Sequence, residues 1–107
     1  MLPIHESDWK LLREKLPGWQ ENYMERLNQS YIALLSGPGD AADRFWALEK
    51  RIRKDKQKTG VIADMRRSNM LNIMVGLLVD KVITRKDLDG FSEDLQDQLS
   101  FLTGYDR

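Results

Sequence analysis

The sequence predicts an all-α fold, a small bundle of four principal helices with a first helix kinked or broken at Pro17 and a short extra turn near 84–89. Three observations predict it. Apolar residues recur at spacings of three and four through most of the chain, the signature of helix faces. Only 3 Pro and 7 Gly interrupt 107 residues, too few breakers for the many turns of a β-sandwich. The stretch 65–79, MRRSNMLNIMVGLLV, is apolar on nearly every side in its second half, so it must be enclosed by amphipathic neighbours. A chain of this length forms one domain, 1–107, with 1–6 and 104–107 as loose ends.

The first helix follows from Trp9, Leu12, Leu16, Trp19, Tyr23, Leu27, Tyr31 and Leu34, which fall on one face. Ser7 is its expected N-cap, with Asp8 in the first turn favourable to the helix dipole. The face keeps its phase through Pro17-Gly18. Proline removes a donor and crowds the preceding turn, so either one kinked helix or two helices meeting near Leu16 would fit, and the preserved phase favours one. Ser36-Gly37-Pro38-Gly39 stops it. Asp40 is the expected cap of a second helix over 41–58, whose stripe is Phe45, Trp46, Leu48 and Ile52. Thr59-Gly60 ends that helix. A third is expected from 61 or 62 to 80, with Val61, Ile62, Met65, Asn69, Ile73 and Leu77 in one row and Met70, Met74 and Leu78 in the next. Gly76 inside it suggests close approach of a neighbouring helix. Thr84 with Asp87 resembles a capping box for a single turn over 85–89. Ser92 caps a last helix over 91–102, presenting Phe91, Leu95, Leu99 and Leu102, and Thr103-Gly104 closes it.

The formal net charge is +0, so global charge does not recruit nucleic acid. There is no cysteine, which removes thiolate chemistry and fits a reducing cytoplasm. The opening MLPIHESDWK lacks the basic and apolar regions of a signal peptide. The apolar run at 70–79 is shorter than the about 20 residues a spanning helix needs. A cytoplasmic location without membrane contact is therefore expected.

Several phrases occur together: WQENYMERL at 19–27, FWALEKRIRKDK at 45–56, RSNM at 67–70 and ITRKDLDGFSEDL at 83–95. With them, nearly the whole chain resembles a family of small uncharacterised helical proteins of Gram-positive anaerobic bacteria, some of them labelled multidrug transporters. The resemblance implies a helical fold and a bacterial cytoplasmic setting. It carries no activity, and the transporter label does not fit a chain without a spanning segment.

No arrangement of residues predicts catalysis. His5 is the only histidine and lies in the lead expected to be loose, whereas a catalytic histidine must be held in place. The carboxylates lie on polar faces among Lys and Arg, not as a facing pair. Asp87, Asp89 and Glu93 fail the spacing of a calcium loop, since Phe91 and Ser92 fall where a ligand and a glycine are required. Gly37-Pro38-Gly39 is no phosphate loop. No enzyme activity, cofactor or metal is expected.

Two surfaces remain. Lys50, Arg51, Arg53, Lys54, Lys56, Lys58, Arg66 and Arg67 could track phosphates if they share a face. A solvated helix end, or one set against the acidic 87–97 segment, is the favoured explanation for them. Trp9, Trp19, Tyr23 and Trp46 are generous for so small a domain and could anchor a partner, although most would be core. Met65, Met70 and Met74 are adaptable packers; together with Trp they could line a small-molecule pocket. Asn69 and Asn72 need hydrogen-bond partners if buried. A first helix of about 28 residues would be roughly 42 Å long, more than the shorter helices can cover. A second copy is then expected over the excess, unless the helix bends back at Pro17. The leading expectation is a non-enzymatic cytosolic interaction or regulatory module. Weak nucleic-acid binding through 50–67 and a small-molecule-binding bundle are the alternatives.

Overall fold

The computed structural model describes residues 4–104, and the expected loose residues 1–3 and 105–107 lie outside it. Four α-helices appear in order: α1 Glu6–Leu35, α2 Ala41–Asp55, α3 Met70–Val79 and α4 Glu93–Thr103. Short 3-10 turns occupy Arg67–Asn69 and Arg85–Leu88. The expected all-α architecture is what the chain adopts.

α1 is one unbroken helix of 30 residues with Pro17 inside it. Pro17 and Arg13 both face solvent, so water can serve the Arg13 carbonyl that proline leaves without a donor. The helix starts before the expected cap. The His5 carbonyl accepts from Asp8 N and Trp9 N at 3.1 and 3.2 Å, which places Ser7 inside the first turn.

The first half of α1 builds the core. Trp9, Leu12 and Leu16 pack with Met70, Ile73, Met74, Leu77 and Leu78 of α3, with Ile83, Leu88 and Phe91 of the connecting segment, and with Leu95 and Leu99 of α4. α3 is thus the enclosed rod that its composition requires. Asp8 is buried and joins the ends of the fold: it accepts from Ser92 N at 2.8 Å and from Ser92 Oγ at 2.6 Å. Ser92 Oγ in turn accepts from Leu95 N at 3.2 Å, capping α4. α4 therefore begins at Glu93 rather than 91, and Phe91 enters the core from outside the helix. The Thr84–Asp87 capping box is formed on both sides.

The second half of α1 leaves this body and pairs with α2 as a helical hairpin. The molecule is consequently elongated, 53 × 27 × 21 Å. α2 covers the length of α1 that the other helices leave, so the length mismatch is met within the chain. Asp40 has the extended backbone of an N-cap, but its side chain makes no capping bond, and α2 ends at Asp55 rather than 58.

The largest departure is the third helix. Residues 61–66 are not helical, and Val61, Ile62 and Met65 lie ahead of α3. The cause is the docking of Thr59-Gly60. Thr59 N donates to Asp80 Oδ2 at 3.1 Å, and Gln20 Nε2 donates to Thr59 O at 3.2 Å. A Cβ on Gly76 would overlap Thr59 Oγ1, and one on Gly60 would overlap the Tyr23 ring. Thr59 is thereby held beside the C-terminal end of α3. One helix running over 61–80 would carry Thr59 well beyond the other end, at about 1.5 Å per residue. The chain must double back before α3 starts. Gly76 does mark a close approach, but of this loop and not of a helix.

Candidate functional site on the hairpin

The structure divides the basic residues. Arg67 donates to Ile4 O at 3.1 Å and pairs with Glu6 at 3.0 Å, at the start of α1. Arg66 pairs with Asp64 at 2.7 Å. On α2, Arg51 donates to Ser30 Oγ at 2.9 Å and stacks 5.4 Å from the Tyr31 ring centre. Arg53 pairs with Glu49 one turn away. From Glu6 to Ser30 is about 36 Å along α1 at 1.5 Å per residue. Lys50, Arg51, Arg53 and Lys54 therefore do not share a face with Arg66 and Arg67, which is the condition that a phosphate track through all six would need. The docked Thr59-Gly60 loop that shortens α3 is what separates them.

The aromatic candidates also divide. Trp9 and Tyr23 are buried, the first in the core and the second over Gly60. Trp19 packs against that core, its ring 6.3 Å from Phe91. These three take part in the chain's own packing, Trp9 and Tyr23 buried and Trp19 partly so. Trp46 differs. It is 64% exposed, and Phe45 beside it is 61% exposed. Their rings meet edge to face, with centroids 5.0 Å apart.

These two side chains belong to a larger apolar face. Arg51 on Ser30 marks one flank of the hairpin. Ile52 and Asn28 line a common cleft on the other flank. Helical repeats of three, four and seven carry that second flank from Asn28 to Ile32 and Leu35, and from Ile52 back to Phe45. Ile32, Leu35 and Ile52 are 56%, 42% and 37% exposed. No residue of α2 is buried. The sequence contained the signal for this face. Phe45 and Trp46 are adjacent, about 100° apart around a helix, and cannot both point at α1. Ile32 and Leu35 likewise lie off the row that ends Leu27, Tyr31, Leu34.

Polar contacts hold the hairpin together. Tyr31 Oη donates to Asp55 Oδ2 at 2.6 Å, and Arg44 Nη1 donates to Leu35 O at 2.6 Å. Burial, then the hydrogen bond to Asp55 and its charge, push the Tyr31 phenol up to about 12. Burial, followed by the charges of Asp80 and Asp55, also raises Tyr23.

A cavity of about 90 Å³ lies where the starts of α1 and α3 meet α4, lined by Ile4, His5, Asp8, Met70, Leu71 and Leu95 among others. Met70 contributes to it, but no tryptophan does, contrary to the expected Met and Trp lining. His5 Nε2 lies 2.9 Å from Asp94 Oδ2 across one side of the cavity. Asn69 Nδ2 donates to Asp64 O at 3.3 Å, and Asn72 is exposed. Among the described residues no group of three or more His, Cys, Asp or Glu could hold a metal ion. No helix among them is long and apolar enough to cross a membrane. Comparison with known proteins gives no match: no family model, no curated protein and no solved structure matches the chain.

Proposed function

We propose that the protein is a non-enzymatic helical interaction module whose working surface is the outer flank of the α1–α2 hairpin. One observation carries this reading: the paired rings of Phe45 and Trp46 lie open on a helix with no fully buried residue. Exposed aromatic pairs are costly in water and are enriched at the centres of protein interfaces. The cysteine-free composition supports a reducing, cytoplasmic setting for it.

The test is a comparative capture experiment with the unsubstituted protein and Trp46→Glu as baits. Trp46 is exposed, so circular dichroism should be unchanged. Partners retained by the first bait and lost by the second support the reading; identical retention by both overturns it. The nucleic-acid alternative now rests on Lys50 and Lys54, which are exposed on α2. Low-salt binding that survives Arg66→Glu with Arg67→Glu, and is lost with Lys50→Glu and Lys54→Glu, would favour that alternative.

A further inference from the structure

We propose that the occupant of the hairpin flank is a second copy of this chain, the two hairpins joining face to face about a two-fold axis into an intermolecular four-helix bundle. This inference rests on the interaction-module reading and names its partner.

Three observations lead to it. The first is what the hairpin lacks. Two helices side by side bury only the stripe between them, and no residue of α2 is itself buried; stacking two such hairpins supplies the missing layer. The second is area. Ile32, Leu35, Phe45, Trp46 and Ile52 keep between 37% and 64% of their surface in water. With roughly 150–250 Å² for a whole large side chain, they expose on the order of 500 Å² per copy. A stable complex buries about 800 Å² per partner; the apolar face supplies the larger part of that, and the polar residues around it would supply the remainder.

The third is charge. The flank carries Glu49 and Arg53, already paired on α2. By helical repeat, Glu25 and Lys56 lie toward its base. Both signs are present in balance, which suits a surface meeting itself and gives no preference for a strongly acidic or basic partner. Glu49 stands four residues from Phe45 and three from both Trp46 and Ile52, at the centre of the α2 contribution. A two-fold axis through the patch brings the two Glu49 positions together, each within reach of the other copy's Arg53.

The experiment combines sedimentation velocity with cross-linking. The unsubstituted protein is expected to pass from monomer to dimer at micromolar to high-micromolar concentration. Trp46→Glu should weaken that association by about 30-fold or more, the effect of losing an interface anchor. Because the chain has no cysteine, Glu49→Cys introduces a single thiol, and oxidation should join two copies through it. Ser100→Cys, on α4 in the body, should not cross-link. A protein that stays monomeric at high-micromolar concentration overturns the inference. So does a dimer that is indifferent to Trp46→Glu, or one that cross-links through position 100. If the monomer still captures another protein through Trp46, the interaction-module reading stands and only the second copy is rejected.

Discussion

At the scale of single residues, three positions separate packing from propensity. The sequence reads Gly60 as a helix stop and gives Gly18 no role. In the fold, a Cβ on Gly60 would overlap the Tyr23 ring, whereas one on Gly18 would meet nothing within 4 Å. Gly60→Ala is therefore expected to lower stability by about 1–3 kcal/mol, as overpacking does. Gly18→Ala, inside α1, should raise it by about 0.5–1 kcal/mol. Urea denaturation of the two variants checks both signs. Asp8 is the third. Its carboxylate holds both the backbone and the hydroxyl of Ser92, and so the start of α4 depends on the first turn of α1. Asp8→Ala should cost about 1.5–3 kcal/mol by the same measurement, the range for hydrogen bonds to a charged group. A loss no larger than that of an ordinary surface substitution would show that Ser92 caps α4 unaided. The sequence marked Ser92 as a cap and Asp8 as a dipole partner. It did not link them, because the two are 84 positions apart and neither spacing nor periodicity reports contact at that distance.

At the scale of elements, periodicity identified all four helices, and capping chemistry located the two ends best: the Thr84–Asp87 box and Ser92 were both readable as short motifs. It failed where a tertiary contact decided the backbone. Val61, Ile62 and Met65 continue the helical row of α3 in sequence, yet Thr59 is fastened to Asp80 and Gly76, and a fold-back is the only way to connect them. The pairing of α1 with α2 is a second tertiary matter, and it is testable through pH. Tyr31 donates to Asp55 across the hairpin, and its phenol is raised from 10.0 to about 12. The fold thus favours the neutral phenol. Its contribution is complete below pH 10 and is lost as the pH climbs through about 12. Asp55→Asn removes the charged acceptor and should return Tyr31 toward ordinary tyrosine titration. Ultraviolet absorbance of tyrosinate against pH reads this directly, and an unchanged alkaline limb would mean that burial alone sustains the shift.

At the scale of the whole molecule, the chain has two unequal parts strung on one helix. The core cluster occupies the first half of α1 with α3 and α4. The hairpin depends on the second half of α1, a few polar clasps and a helix without buried residues. Regions with few buried apolar contacts open at lower free energy than the body they extend from. Trp46 lies in the hairpin, while Trp9 and Trp19 lie in the body. The fluorescence of Trp46→Phe protein therefore reports the body, and its difference from the unsubstituted protein reports the hairpin. At concentrations low enough to keep the chain monomeric, the hairpin signal should be lost at lower urea than the body signal. Coincident transitions would instead make the molecule a single cooperative unit. The sequence could not show this division, because the apolar face of α1 continues in phase through both parts. That continuity has a mechanical meaning. α1 is a lever whose longer arm is clamped in the core, whose fulcrum is the Tyr23 ring resting on Gly60, and whose shorter arm ends at Leu35. Whatever grips the far tip exerts torque on Trp9 and Leu12, so a load applied at the outer end is felt first at the seam between the start of α1 and α4.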